Sequence, residues 1–186
     1  MQPFSYFEKL STPAKMQNPA IYQEAPEYCH YFFDLVPSDN LLAELKNSRE
    51  ATLAIFEQIT PEQENRAYAA GKWTTNEVIR HIIDCERVYT YRALRFSRFD
   101  ATELAGFEQD DYIRSLKAIP LSLVDLKEEY IAVRTATIAL FASMTEEMLH
   151  FKARANNVYF TPNAIGFMTV GHNLHHIGFL QKNYLK

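Results

Sequence analysis

Thr161-Pro162-Asn163-Ala164-Ile165-Gly166-Phe167-Met168-Thr169-Val170-Gly171-His172-Asn173-Leu174-His175-His176-Ile177-Gly178-Phe179-Leu180-Gln181 contains no Asp, Glu, Lys or Arg, and the uncharged run already begins at Ala155. A membrane-spanning helix needs about 20 predominantly apolar residues. The run from Ala155 to Gln181 holds three His, four Asn, two Thr and a Pro, so it is not one. A helix hidden among other helices fits better, because such a helix is apolar on most faces. Thr161 offers a capping oxygen and Pro162 suits a first turn, which predicts a helix over roughly 162–184.

The partners of that helix lie upstream. Leu123, Leu126, Tyr130, Val133, Thr137, Leu140 and Met144 alternate spacings of three and four. That pattern predicts a helix over roughly 122–144 with a packing seam. The exposed remainder of this seam suggests a homodimer. Thr74 followed by Glu77 is a capping-box pattern, and it opens a helix over roughly 74–98 with Val78, Ile82, Cys85, Tyr89 and Phe96 inward. Ser38 or Asp39 can cap a first helix over roughly 40–59, with Leu42, Leu45, Leu53, Phe56 and Ile59 on one face. Thr60-Pro61 stops it. A short helix at Asp111 to Lys117 is expected in the polar connection. Val, Ile and Thr form no alternating runs, so no strand is predicted. Four long helices with unequal connections imply an all-α four-helix bundle. Residues 1–37 carry five of the eight prolines and the cluster Tyr28, Tyr31, Phe32 and Phe33. They read as an irregular N-terminal arm, with one helical turn, packed on a bundle domain spanning 38–186. For residues 1–20 a disordered tail is the competing reading.

Composition sets the outer bounds. At 186 residues one domain is the default, and 47% apolar with 23% charged residues excludes a disordered or collagen-like chain. A formal charge of −4 argues against nucleic acid as a partner, since phosphate contacts need a basic surface. Two cysteines, Cys29 and Cys85, without a CxxC, fit a reducing cytoplasm. The first 20 residues lack the pattern of a signal peptide.

Six histidines are present: His30, His81, His150, His172, His175 and His176. His172 and His176 stand at i and i+4, which stacks two imidazoles on one helix face within reach of one ion. His175, at i+3, competes for the second place. Buried imidazoles hydrogen-bonded to carbonyls are the plainer alternative. Against it, this helix is uncharged, its histidines face the bundle interior, and His81 sits on the flank of another long helix. Bundle interiors build metal sites from facing helices. Imidazole ligands suit Zn, Ni, Cu or Fe. Three ligands with an open position describe a catalytic site, and a metal there lowers the pKa of a bound thiol or water. Cys85, at i+4 from His81, is a core residue by default and a possible fourth, soft ligand. Asp84 can orient a histidine or act as general base. Glu86 reads as solvated or salt-bridged, and the run Arg80, Arg87, Arg92, Arg95, Arg98 as a solvated face that could alternatively hold an acidic thiol cofactor. Tyr28 and Tyr31 cap the metal mouth or pack the core. His30 and His150 read as surface residues.

Lys72-Trp73-Thr74, Glu77, His81-Ile82-Ile83-Asp84-Cys85-Glu86 and the closing His172-Asn173-Leu174-His175-His176 resemble the DinB/YfiT-like superfamily over about residues 28–185. The resemblance implies a four-helix bundle of up-down-down-up topology and a divalent metal held by three histidines. The family's ligands fall on His81, His172 and His176. Members with assigned activity include thiol S-transferases that use bacillithiol or glutathione-like thiols, and mycothiol-dependent isomerases. A metal-dependent thiol S-transferase acting on a small-molecule substrate is therefore the leading expectation. A metal-dependent hydrolase and a non-catalytic metal-binding bundle are the alternatives.

Overall fold

The computed structural model describes residues 18–116, 119 and 122–185. The part of the expected arm at residues 1–17 lies outside the described residues. From Asn18 onward the arm makes 3-10 turns at Pro19–Gln23 and Glu27–Cys29 and a short helix α1 (His30–Asp34). Then follow α2 (Leu41–Phe56), α3 (Pro61–Glu64), α4 (Thr75–Ser97), α5 (Gln109–Ser115), α6 (Leu123–Ala142) and α7 (Glu146–His150). Strands β1 (Ala153–Ala155) and β2 (Val158–Phe160) precede α8 (Pro162–Asn183).

Local chemistry accounts for the helix starts. The Thr74 hydroxyl accepts the Glu77 amide at 3.2 Å, and the Glu77 carboxylate accepts the Thr74 amide at 2.7 Å. This satisfies two otherwise orphaned donors. Thr161 caps α8 through the Ala164 amide at 3.1 Å, and Ser122 caps α6 through that of Asp125 at 3.1 Å. The first long helix differs from expectation. Its cap is Asn40, which accepts the Ala43 amide at 3.1 Å, while Ser38 donates to Glu44 instead. The first long helix ends at Phe56, short of the expected stop at Thr60-Pro61, and Pro61 instead opens the single turn of α3, capped by Thr60. The short fifth helix starts two residues earlier than expected, at Gln109.

One expectation fails outright. A hairpin exists, with Ala153 opposite Phe160 and Ala155 opposite Val158. Its turn is Asn156-Asn157, with φ of 52° and 64°. Asn tolerates this left-handed region and suits the tight turns that join two strands. Leu104 bridges to Ala155, which ties the loop after α4 to the hairpin.

The directions of the long helices follow from paired residues. Along α4 and α6, Arg80 meets Glu129, Glu86 meets Arg134 and Thr90 meets Thr137, so these helices are parallel. Trp73 meets Tyr184 and His81 meets His172, so α8 runs against α4. Arg134 meets Leu45 while Lys127 meets Glu57, so α2 runs against α6. The order is up, down, down, up. The core is continuous across α2, α4, α6, α8 and the arm, which contributes Ile21, Cys29, Phe33 and Val36. In the α6 seam Leu126, Tyr130 and Thr137 are buried and Leu123, Val133, Leu140 and Met144 half-buried, while the exposed large apolar residues of α6, Val124 and Ile131, lie off it. No helix among the described residues is long and apolar enough to cross a membrane.

Candidate metal centre

Helices α4 and α8 pack against each other along their length, and His81 faces His172 and His176 across that contact. The three Nε2 atoms form a small triangle: His81 to His172 is 3.0 Å, His81 to His176 is 3.2 Å and His172 to His176 is 3.2 Å. A metal bound at about 2.0–2.1 Å with ligand angles of about 90–110° needs nitrogens about 2.8–3.4 Å apart. The triangle meets that requirement. Burial disfavours the charged forms of all three rings. It pushes His81 down to about 4 and His176 to about 2, and His172 falls well below the usual histidine range. Neutral imidazole is the form that ligates a metal.

Aromatic rings hold the triad in place. Trp73 lies 5.0 Å from the His81 ring, and Phe32 and Tyr89 lie 5.6 Å and 5.7 Å from His172. Phe32 comes from α1, and Gly171 brings it close. A Cβ at Gly171 would stand 2.0 Å from the Phe32 carbonyl oxygen. Glycine is therefore what lets the arm lie against the turn that carries His172. Trp73 is fixed from behind, where its carbonyl accepts the Tyr184 hydroxyl at 2.7 Å.

The remaining sequence-predicted residues fall in different places. His175 is half-buried and outside the Nε2 triangle; its Nδ1 pairs with the Tyr31 hydroxyl at 2.8 Å. Cys85 is buried with its Sγ 3.5 Å from His81 Nδ1, and burial pushes its thiol up to about 12. Asp84 points to the arginines of its own helix, with Arg80 at 3.8 Å and Arg87 at 3.9 Å. Burial raises its carboxyl above the ordinary range, against the pull of those two cations. Tyr28 is largely exposed, and Tyr31 is the arm tyrosine that reaches a histidine. His30 bonds the Tyr22 carbonyl and His150 pairs with Glu24, both away from the triad. Glu86 is salt-bridged but not solvated. It forms a double hydrogen bond with Arg134, at 2.7 and 2.8 Å, in the bundle interior. The basic run is only partly a solvated face, since Arg92 is buried.

A pocket of about 380 Å³ adjoins the triad, bounded by His175, His176, Trp73, Tyr68, Phe179 and Asp110. Sequence reasoning missed Tyr68, Asp110 and Phe179. Only the position of Phe179, one turn beyond His175 on the same helix, carried a signal.

The DinB superfamily model matches residues 44–180. The chain belongs to the DinB superfamily. No curated protein matches it. Among solved structures it is similar to YfiT from Bacillus subtilis, described as a probable metal-dependent hydrolase with an unusual four-helix bundle topology. The two share 16% identity with a TM-score of 0.69, over 77% of this chain and 83% of that one. At that identity the likeness is one of fold. The up-down-down-up bundle expected of a DinB superfamily member is the bundle found.

Proposed function

We propose that this DinB superfamily protein is a divalent-metal-dependent enzyme that hydrolyses a small substrate with an apolar or aromatic body. The observation that carries this is a three-nitrogen ligand set beside a pocket, with no fourth ligand atom in the cluster among the described residues. His175 is engaged by Tyr31, and Cys85 Sγ lies outside the cluster of ligand atoms that fall within 4.8 Å of one another. Both departures from a closed four-ligand site support catalysis over a structural role. The description of YfiT as a probable metal-dependent hydrolase agrees with this.

In this reading His81, His172 and His176 hold the metal. When bound, it supplies Lewis acidity and a nucleophile available near neutral pH. The chain's own residues do the rest. Burial keeps the three imidazoles neutral. Tyr68, Trp73 and Phe179 exclude water and hold the flat body of the substrate. Tyr31 fixes the ring of His175 at Nδ1, which places the imidazole at the pocket wall to exchange a proton with the substrate. Asp84 holds Arg80 and Arg87 and takes no part in proton transfer.

Thiol S-transfer is the second reading, favoured by Lys72, which lines the same pocket and offers a cation to an acidic thiol. Protein purified without a nickel column should contain about one metal per chain. His81→Ala and His172→Ala should lose it and His150→Ala should keep it. p-Nitrophenyl ester cleavage without thiol, dependent on metal and on His172, supports hydrolysis. Conjugation of monochlorobimane that requires glutathione or bacillithiol supports transfer instead. Equal metal content in all three variants removes the proposal.

A further inference from the structure

A second cavity, of about 610 Å³, opens on the other side of α5 and is lined by Arg87, Arg92 and Arg95 of α4 together with Tyr91, Phe107 and Tyr112. Its size falls within the usual span of small-molecule sites. Helix α5 stands between the two cavities, with Asp110 on the first and Tyr112 on the second. Arg92 lies three helical turns, about 16 Å, from His81 along α4.

The arginines of this cavity differ in one respect. Arg87 pairs with Glu129, and Arg95 with Asp100. Deeper in the bundle, Arg134 pairs with Glu86. Arg92 has no carboxylate partner among the described residues. It is 6% exposed, donates one hydrogen bond to the Ala105 carbonyl at 2.9 Å, and lies over the Phe107 ring at 5.8 Å. The titratable groups that act on it are phenols and a thiol, Tyr89, Tyr28, Cys85 and Tyr112, and none is a carboxylate. The one carboxylate that lines the cavity among the described residues, Glu103, is drawn to Arg154 at 3.4 Å. The guanidinium makes one hydrogen bond within the protein and no nitrogen of it is buried without a partner, so its remaining donors are open to an anion in the cavity, which would gain charge-assisted hydrogen bonds there. The wall that faces it is held in place, because Leu104 is hydrogen-bonded in both directions to the β1–β2 hairpin.

We propose that this cavity binds a small organic anion, a carboxylate or phosphate monoester, with Arg92 gripping the charged group and Tyr91, Phe107 and Tyr112 packing against an aromatic body. The guanidinium fork matches either oxyanion. The assignment is independent of the metal centre.

Isothermal titration of the full chain with benzoate, phenyl phosphate and inorganic phosphate tests it, on protein as isolated and after chelation. One benzoate or phenyl phosphate per chain is expected, unchanged by chelation and unchanged in His172→Ala. The tighter of the two identifies the oxyanion. Both should bind more tightly than inorganic phosphate, and equal affinity would overturn the aromatic part of the proposal. Arg92→Gln should weaken binding about tenfold or more, the usual worth of charge-assisted hydrogen bonds. Thr102→Glu sets a carboxylate at the exposed rim of the same cavity, should weaken binding likewise, and decides the matter if Arg92→Gln fails to fold. Binding that vanishes on chelation and survives Thr102→Glu places the anion at the histidines and overturns the proposal. Absence of saturable binding at millimolar concentrations also overturns it.

Discussion

Arg134 is the largest fully buried side chain and the hub of the bundle interior. Besides Glu86 it donates to the Leu45 carbonyl at 3.1 Å, the Ser48 hydroxyl at 2.5 Å and Asn173 Oδ1 at 3.2 Å. Asn173 also donates to Thr52 at 2.7 Å and accepts the Tyr130 hydroxyl at 3.2 Å. Residue 173 follows His172 directly, so this network sets the rotation of α8 and with it the direction of the imidazoles. Removing one partner of a buried pair costs about 3–5 kcal/mol, because the other charge is left uncompensated. Arg134→Met should lose that much stability in urea unfolding, and Arg134→Met with Glu86→Met should recover most of it. The histidines add a pH dependence. The unfolded chain takes up protons at the ordinary histidine value of 6.5, whereas folded His81 resists until about 4. Protons therefore favour the unfolded state in that window. The metal-free protein should hold a steady urea midpoint between about pH 7 and 8 and lose stability as pH falls from about 6.5 toward 4, with a shallower decline in His81→Asn.

At the scale of elements, what was legible is what is local. The capping box of Thr74 and Glu77, the cap at Thr161 and the i, i+4 histidines each lie within one turn, and each stands as read. Arg134 was illegible, because a charged residue in a helix reads as surface until its partner appears 48 residues away in sequence. The hairpin escaped because three-residue strands are too short to show alternation, and only Asn156-Asn157 marked it. The cap expected at Ser38 or Asp39 falls on Asn40, whose side chain accepts the Ala43 amide while Ser38 is drawn to Glu44. The arm carries the least local signal of all. Its seat depends on Gly171 and on Glu24, whose carboxylate accepts the Thr161 hydroxyl at 2.7 Å and the Asn163 amide at 3.0 Å. Gly171→Ala should drive the Phe32 backbone off α8, since a Cβ at 2.0 Å from a carbonyl oxygen cannot be absorbed by a rotamer change. A loss of roughly 1–3 kcal/mol is expected, the range for overpacking. Faster amide exchange confined to residues 27–36 would locate the damage in the arm. Unchanged exchange there would refute this account of the glycine.

Across the whole molecule, up-down-down-up order makes α2 and α8 parallel neighbours and pairs α8 antiparallel with α4. The long connections after α2, α4 and α6 leave these helices joined by packing and by cross-helix pairs, among them Arg80 with Glu129, Thr90 with Thr137, Asn173 with Thr52, the Arg134 network and the histidines. A metal held by His81 on α4 and by His172 and His176 on α8 crosslinks residues 91 and 95 positions apart in sequence. The unfolded chain offers no such assembled site, so binding energy at the triad becomes folding energy. At a free metal concentration about 100 times its Kd, the gain is about 2.7 kcal/mol. For a chain of this size that corresponds to a rise in Tm of roughly 5–11 °C. Zinc added to chelator-treated protein at pH 7.5 should produce this rise in a thermal melt. His81→Ala should abolish most of it, because the two ligands that remain both sit on α8 and no longer join two helices. The rise should persist at pH 5, because folded His81 stays neutral to about 4 and protons taken up by the unfolded chain lower stability alike with and without metal. Equal stabilisation of the wild type and His81→Ala would show that metal binds elsewhere on the chain, and the crosslink between α4 and α8 would have to be abandoned.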